Sequence, residues 1–312
     1  MKGLEICEKY FNEYGKKMID EEFAEYKDRI AAGLVGEGSE CFGFDDELSK
    51  DHDFEPSFCL FITEEDERKF GFKLERAYAK LPKEYMGLKR QLLSPTGGNR
   101  RGVIVINEFY KKFLGASNAP DSLKRWFYTP SEMLATACNG KVFTDPLGFF
   151  SSVRNELLKG YPEDVRRKKI AANVILMAQS GQYNYGRCID RGETGAAQLA
   201  IFEFVKHAIS TVYLLNGKYE PYYKWAYRGM RELPILSDLE FSLSGISELG
   251  NSKSQASEKA EIIEDIAKMI IDELKTQKLT TATCNNLETH AYSVMDSIKD
   301  STIRNMHVME GV

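Results

Sequence analysis

The sequence predicts an α+β protein, with a mixed α/β half up to about residue 150 and an all-helical half after it. Runs of β-branched and aromatic residues typical of short strands occur in the first half. The second half contains long stretches with helical periodicity. With 43% hydrophobic and 12% aromatic residues among 312, the chain can bury a substantial core. We therefore expect an α/β domain over residues 1–150 and a helical domain over residues 151–312.

The first half is expected to begin with two helices. Apolar residues that recur at spacings of three and four mark one face of the first helix. These residues are Leu4, Cys7, Phe11, Tyr14 and Met18. A second helical stretch is expected from about Asp20 to Ile30. Further along, Thr63 and the three acidic residues after it are typical of a helix cap and first turn.

Four short segments of the first half have the composition of strands. They are Gly33–Gly36, Phe54–Ile62, Val103–Ile106 and Lys141–Thr144. The sequence therefore predicts a small sheet surrounded by helices.

Three helices are predicted in the second half. One begins at Pro162 and runs through Met177, and its basic run 166–169 is expected to be a solvated face. The next, Thr194 to Leu215, is apolar on nearly every face and stops at Asn216–Gly217, so we expect it at the centre of a helical bundle. An amphipathic helix follows around residues 262–274.

Composition and short motifs exclude several classes of function. Acidic residues outnumber basic ones 47 to 42, which argues against a general nucleic-acid-coating surface. We expect neither a secretory signal nor a membrane helix, because the N-terminus is charged and no apolar run is long enough. Scattered cysteines indicate reduced thiols and a cytoplasmic protein. The four histidines form no zinc motif.

The segment between the first two predicted strands carries the candidate chemistry. Gly38-Ser39 follows the first strand, and Asp51-x-Asp53 precedes an apolar run. Alternate residues of a strand point to the same side, with Cα atoms about 7 Å apart. Two carboxylates so placed can share two magnesium ions, roughly 3.5–4 Å apart, at a phosphoryl-transfer site. Backbone N–H groups and the hydroxyl of the Gly-Ser turn would receive the nucleotide phosphates.

Each part of this pattern is weak alone, because Asp-x-Asp triplets and Gly-Ser dipeptides also occur in solvated loops. The order of the parts favours a site over a surface loop. It is a strand, Gly-Ser, a turn, the paired acids and then an apolar strand.

That order resembles the DNA polymerase β-like nucleotidyltransferase superfamily. Four longer motifs resemble, within it, the bacterial family described as domain of unknown function 4037. They are Gly43–Asp53, Gly140–Gly148, Tyr161–Val165 and Tyr219–Trp225. The resemblance spans about residues 33–235 and implies a minimal nucleotidyltransferase domain followed by a helical domain, as in aminoglycoside nucleotidyltransferases.

The resemblance also implies further site residues. Active members of the superfamily carry a third carboxylate on a neighbouring strand, and Glu108 and Asp145 are the two options here. Glu108 could equally cap a following helix, and Asp145 before Pro146 is a common turn pair. In the related antibiotic-modifying enzymes a carboxylate of the helical domain serves as base. Glu193 is the first choice for that role and Asp190 the second, with an ion-paired helix start as the alternative.

Lys224 lies among aromatic residues at positions 222, 223 and 225. It could hold a triphosphate while a neighbouring ring stacks on a base. The alternative is that the aromatics belong to the core and Lys224 reaches past them to solvent.

Taken together, the sequence predicts a cytoplasmic, magnesium-dependent nucleotidyltransferase. Two magnesium ions and ATP or another nucleoside triphosphate are expected at Gly38, Ser39, Asp51 and Asp53. The acceptor hydroxyl is expected to belong to a small molecule rather than to RNA or protein. The alternative is a nucleotide-binding or partner-binding module of the same fold that has lost catalysis. A weaker alternative is a toxin–antitoxin component that modifies RNA or protein.

Overall fold

The computed structural model describes residues 1–46, 55–90 and 100–312, which form two compact units. The first unit consists of Met1–Asp121 and Glu132–Lys159, and the second of Ser122–Ser131 and Gly160–Val312. The predicted boundary at residue 150 lies inside the helix Phe149–Leu157 of the first unit.

The short segment Ser122–Ser131 belongs to the second unit because its side chains find their partners there. The ring of Trp126 lies edge-on to that of Tyr161, with centroids 6.2 Å apart. The Ser131 hydroxyl accepts a hydrogen bond from the backbone N–H of Glu220 at 2.7 Å. Sequence periodicity carries no information about such partners, which lie tens of residues away.

The helices of the first unit flank a small sheet. They are α1 (Gly3–Tyr10), α2 (Lys16–Glu22), α3 (Ser39–Phe42), α4 (Glu64–Asp66), α5 (Phe72–Lys80) and α6 (Ile106–Leu114). After α7 (Leu123–Tyr128) of the second unit come α8 (Ser131–Cys138) and α9 (Phe149–Leu157). Two π-helical turns, Phe11–Gly15 and Glu67–Gly71, join α1 to α2 and α4 to α5.

The strands are β1 (Ala31–Leu34), β2 (Cys59–Ile62), β3 (Glu84–Tyr85), β4 (Leu88–Lys89), β5 (Gly102–Val105) and β6 (Lys141–Thr144). Four of them form a mixed sheet in the order β5-β2-β1-β6, in which only β2 and β5 are parallel among the described strands. Strands β3 and β4 form a separate hairpin. The predicted α+β class is confirmed. The first predicted strand lies two residues earlier than expected, and Ile106 starts α6 instead of ending β5.

The predicted helix from Asp20 to Ile30 is wrong. Helix α2 ends at Glu22, and a single 3-10 turn, Lys27–Arg29, precedes β1. Between them the chain turns so that Phe23 and Tyr26 pack against Phe70, with the Tyr26 and Phe70 rings stacked at 4.3 Å. Burial of these aromatics outweighs the local preference for helix.

Aromatic side chains dominate the core between the sheet and the first helices. The Phe58 ring contacts the rings of Tyr10, Phe11 and Tyr78 with centroids 5.0–5.8 Å apart. Gly15 closes the first π-helical turn against the same ring, and a Cβ there would lie 2.5 Å from Phe58. The π-helical turn therefore packs its backbone at Gly15 directly against the Phe58 ring.

Among the glycines that the structure describes, Gly140 is expected to give the largest effect on stability when it is substituted. It has φ +61°, and a Cβ would lie 1.9 Å from the carbonyl oxygen of Leu34 at the end of β1. Gly140→Ala should therefore lower the free energy of unfolding by about 3 kcal/mol, from left-handed strain plus overpacking. Gly115 is the matched control because its φ is +69° but nothing lies within 4 Å of its Cβ position. Gly115→Ala should cost only about 1 kcal/mol in urea unfolding, and equal losses at the two positions would contradict the packing explanation.

The second unit is helical. After α7 it contains α10 (Glu163–Met177), a π-helical stretch (Ala178–Tyr185), α11 (Gly186–Asp190), α12 (Thr194–Leu215), α13 (Tyr223–Met230), α14 (Leu239–Glu248), α15 (Lys253–Thr276), α16 (Leu287–Asp296) and α17 (Ser301–Arg304). Helix α12 has the predicted bounds and packs against α10, α14 and α15, which confirms its central position. The predicted helical character of the second half is thus confirmed.

The basic run 166–169 of α10 is not the solvated face that the sequence predicts. Lys168 is fully buried, and its ammonium donates to the backbone carbonyls of Val308 at 3.1 Å and Glu310 at 2.6 Å. Burial lowers the pKa of Lys168 to about 8. The C-terminal residues therefore cover part of α10, which a local charge pattern cannot reveal.

Candidate functional site

The Gly-Ser turn directly follows the first strand of the sheet. Gly36 and Gly38 have φ of +108° and +119°, a conformation that side chains rarely adopt, and Ser39 begins α3. A Cβ on Gly38 would lie 2.5 Å from a carboxylate oxygen of Glu40, so the turn also needs glycine for space. The backbone of this turn is thus shaped by its glycines, as the sequence predicts.

Asn139 holds the turn by two hydrogen bonds that run in opposite directions. Its side-chain oxygen accepts from the Gly36 N–H at 2.8 Å, and its side-chain nitrogen donates to the Gly36 carbonyl at 2.8 Å. The two residues are 103 positions apart. Asn139 is not predicted from the sequence, in which its place just before Gly140 is the only local signal.

Arg101 holds the other side of the same turn. Its guanidinium donates to the Glu37 carbonyl at 2.8 Å and forms an ion pair with the Glu40 carboxylate. Both side chains are buried, with Arg101 8% and Glu40 4% exposed. Oε2 of Glu40 has no hydrogen-bond partner within the described ranges. A buried ion pair fixes a conformation at a cost in desolvation, so we infer that Arg101 positions the turn.

Two further cations lie beside the turn at Glu37. The Lys112 ammonium is 2.6 Å and the Arg100 guanidinium 3.7 Å from the Glu37 carboxylate. A cavity of about 190 Å³ is lined by Gly36, Glu37, Arg100, Glu108 and Lys112, among other residues. These ion pairs are half-exposed and therefore individually weak. An incoming anion could take the place of Glu37 on both cations.

Glu108, one of the two options for a third carboxylate, lies in the first turn of α6 instead of on a strand. It lines the cavity that also contains Gly36 and Glu37. Its side chain is 62% exposed and accepts a hydrogen bond from the Lys111 ammonium at 2.9 Å. This hydrogen bond raises the pKa of Lys111. The structure thus brings Glu108 to the turn, with its carboxylate still accessible.

Asp145, the other option, is engaged by backbone groups at the start of α9. One carboxylate oxygen accepts from the Gly148 N–H at 3.0 Å and the other from the Ser151 N–H at 2.7 Å. This arrangement agrees with its alternative interpretation as a turn residue.

The cysteines near the turn are buried thiols. Burial raises the pKa of Cys41 and Cys59, and it raises the pKa of Cys7 to about 12. The Cys41 thiol donates to the Glu37 carbonyl at 3.5 Å. Protonated and buried, these side chains are poor nucleophiles.

Three of the candidate site residues lie in the second unit. Glu193 immediately precedes α12 and is exposed, as is Asp190 at the end of α11. Lys224, in the first turn of α13, is exposed, with its ammonium 5.0 Å from the Trp225 ring. Tyr222 and Tyr223 are 53% and 75% exposed, so these two rings do not belong to the core, although Lys224 does reach solvent as the alternative expects.

Asp51 and Asp53, the predicted metal ligands, lie outside the described residues. In residues 1–46, 55–90 and 100–312, no three His, Cys, Asp or Glu side chains come together as a metal site. The described helices include none that is long and apolar enough to cross a membrane. The assignment of the two aspartates therefore remains a prediction.

The described residues define the structural class of the protein. It has a mixed α+β unit, in which Asn139 and Arg101 hold a glycine turn after the first strand, and a helical unit. Residues 126–226 match the family described as Domain of unknown function (DUF4037). This match confirms the expected family resemblance over three of its motifs, Gly140–Gly148, Tyr161–Val165 and Tyr219–Trp225. Gly38, Ser39, Asp51 and Asp53 lie outside the matched segment.

A solved structure is also similar to this chain. It is the crystal structure of a nucleotidyltransferase-like protein from Exiguobacterium sibiricum 255-15, with a TM-score of 0.37 and 9% sequence identity over 90% of each chain. No curated protein sequence matches this chain.

Proposed function

We propose that the protein is a magnesium-dependent nucleotidyltransferase that moves a nucleoside monophosphate from a nucleoside triphosphate to an acceptor hydroxyl. The observation that carries the proposal is the turn Gly36–Ser39 after β1. It is held by Asn139 and Arg101, bordered by two cations, and followed in the sequence by Asp51-x-Asp53. Helix N-terminal and turn N–H groups, together with nearby cations, are the usual partners of phosphate.

The described residues suggest how phosphates would be held. Backbone N–H groups of Gly38 and Ser39 would donate hydrogen bonds to one phosphate. Arg100 and Lys112 would release the Glu37 carboxylate and bind phosphate oxygens in its place. Such charge-assisted contacts are stronger than those between neutral groups. Lys224 remains a candidate for a further phosphate or base contact.

The paired aspartates supply the oxygen ligands that magnesium prefers. Bound magnesium would withdraw charge from the α-phosphate. As the acceptor oxygen forms its bond to the α-phosphorus, the bond to the pyrophosphate oxygen breaks. The hydroxyl proton would pass to a carboxylate. Glu108 is favoured over Asp145 as the third carboxylate because it lines the cavity at the turn, whereas both oxygens of Asp145 accept backbone N–H groups. Glu193 remains the proposed base from the helical unit.

The proposal is tested with the full chain, magnesium and each of the four α-labelled ribonucleoside triphosphates. The acceptor pool is a bacterial extract separated into small-molecule, RNA and protein fractions. We expect label to move into the small-molecule fraction with equimolar release of pyrophosphate, as for a cytoplasmic enzyme with a small acceptor. Label in the RNA or protein fraction would refute the acceptor class, and nucleotide binding without transfer to any fraction would refute the enzyme.

A nucleotide-binding module without catalysis is the second candidate. It is favoured because both candidates for the third carboxylate already have partners. Both oxygens of Asp145 accept backbone N–H groups, and Glu108 pairs with Lys111. Calorimetry with ATP and magnesium should show binding for either candidate, so the labelling experiment distinguishes them.

A further inference from the structure

The Glu37 carboxylate lies against the two cations that the proposed function assigns to phosphate. Its Oε2 atom is 2.6 Å from the Lys112 ammonium and 3.7 Å from the Arg100 guanidinium, so a single oxygen lies near both. The shorter contact is a charge-assisted hydrogen bond. The longer one exceeds hydrogen-bond range and is an interaction of charges without a hydrogen bond. Glu37 is therefore an incomplete partner for these two cations.

The backbone at Glu37 is fixed, whereas its side chain has room to move. The Glu37 carbonyl accepts a hydrogen bond from the Arg101 guanidinium, and Asn139 pairs with both backbone groups of Gly36. The Glu37 side chain is 37% exposed and that of Lys112 is 53% exposed. Ion pairs as exposed as this one contribute little to stability. Rotation of the Glu37 side chain into solvent would therefore release both cations and leave the turn in place.

The two cations and Glu37 lie at the cavity of about 190 Å³, whose other lining is mainly apolar. Ile104, Phe109 and Phe113 belong to this lining. The Lys112 ammonium lies 5.2 Å from the centre of the Phe113 ring, which favours its position without the carboxylate. Apolar walls also exclude water, which strengthens the attraction between the cations and an entering anion. The volume is below the range for drug-sized ligands, so it suits phosphate groups rather than a whole nucleotide.

We propose that Glu37 is an internal competitor of phosphate, which blocks the anion subsite formed by Arg100 and Lys112 until its side chain rotates away. The class of ligand rests on the proposed function, and the competition by Glu37 is an inference beyond it. A polyphosphate offers several charged oxygens, so both cations can donate hydrogen bonds to it, which the single Glu37 oxygen does not allow. The subsite is open in only a fraction of the molecules, and the affinity for each polyphosphate is reduced by that same fraction.

Two other interpretations of the same contacts make different predictions. In the first, Glu37 only ties α6 to the turn through Lys112, so its removal would lower stability and leave anion binding unchanged. In the second, Glu37 repels anions through its charge, so its removal would favour an anion more strongly the higher the charge of that anion. Competition for the subsite predicts instead the same gain for each polyphosphate, because each has to displace the same side chain.

The test is Glu37→Gln in the full chain, with calorimetric titration of inorganic pyrophosphate and tripolyphosphate without magnesium. The amide has nearly the shape of the carboxylate but no charge to hold the two cations. We expect both anions to bind about tenfold more tightly than to the wild-type chain, from the loss of two exposed ion pairs. The two gains should agree within about twofold, and Tm should change by less than about 2 °C.

Glu65→Gln is the matched control, because Glu65 also pairs with two cations, Lys69 at 2.5 Å and Arg29 at 3.6 Å. Glu65 follows β2 and the glycine turn follows the antiparallel strand β1, so the two lie at opposite edges of the sheet. This variant should leave both affinities within about twofold of the wild-type values, because a distant charge is screened.

Four results would each overturn the proposal. They are an equal gain in Glu65→Gln, a gain several times larger for tripolyphosphate than for pyrophosphate, an unchanged affinity in Glu37→Gln, and no measurable binding of either anion to Glu37→Gln. An unchanged affinity together with a lower Tm would show that Glu37 only ties α6 to the turn.

The double variant Glu37→Gln, Lys112→Met shows where the gain arises. We expect the gain to disappear, because the released ammonium is its source, and a gain that persists would refute the subsite. These titrations involve no transfer of nucleotide. A gain in Glu37→Gln without label transfer by the wild-type chain would refute the proposed enzyme alone, whereas label transfer without the gain would refute the role of Glu37 alone.

Discussion

The double substitution Asp51→Asn, Asp53→Asn should reduce nucleotidyl transfer by at least about a thousandfold, because the amide side chains would remove the charge of the two proposed ligands of the divalent metal. Transition-state charge at the α-phosphate would then lack its counter-charge. The measurement is pyrophosphate release with saturating nucleoside triphosphate and magnesium. Tm should stay within about 2 °C of the wild-type value, since the two substitutions keep the side-chain shape.

Asp46→Asn is the control, because Asp46 is an exposed acid of the same segment that is not assigned to the site. It should retain wild-type turnover. Unchanged turnover in the double variant would refute the assignment of Asp51 and Asp53. If both Tm and turnover fall in the double variant, the aspartates are needed for the fold. Calorimetry with ATP and magnesium on the folded fraction then distinguishes loss of stability from loss of the metal site.

Arg101→Met should lower the free energy of unfolding by about 3–5 kcal/mol, the cost of leaving a buried charge without its partner. Glu40 would lose its guanidinium, and the Glu37 carbonyl would lose a donor. Because these contacts hold the glycine turn, nucleotide affinity should fall as well. Chemical denaturation and calorimetry with ATP measure the two effects.

Lys112→Met is the matched control for the stability measurement alone, because its ion pair with Glu37 is 53% exposed on the lysine side. It should cost no more than about 1 kcal/mol. The double variant Arg101→Met, Glu40→Met should recover much of the stability lost in Arg101→Met, since an apolar pair of similar volume can replace a buried ion pair. No recovery in the double variant would show that Arg101 acts through its backbone-carbonyl contacts instead of through Glu40.

Local signals predicted the elements whose ends are set by their own residues. Helix α12 has its predicted bounds because its apolar face and the Asn216–Gly217 stop are contiguous in sequence. Thr63 caps its helix as expected, accepting from the Asp66 N–H at 3.2 Å. The helix predicted after Asp20 failed because Phe23 and Tyr26 are drawn to Phe70.

The candidate site was predicted only in part, for a similar reason. Its glycine turn is encoded locally by residues that permit positive φ. The residues that hold the turn, Asn139 and Arg101, come from 103 and 64 positions further along the chain. Hydrophobic periodicity in a single sequence reports only on local neighbours, so it does not predict a hydrogen bond between residues so far apart. The roles of Asp51 and Asp53 stay predictions.

The assignment of α7 to the second unit bears on how the protein can be made. This helix is flanked on both sides by segments of the first unit, so the chain enters the helical unit, leaves it and returns after Lys159. When residues 1–159 have emerged from the ribosome, α7 has been synthesised but the later helices of the second unit have not. Trp126 and Phe127 are then still exposed. During synthesis α7 therefore cannot pack until the later helices have been made. A protein truncated at Lys159 should be prone to aggregate, because the apolar side chains of α7 stay exposed.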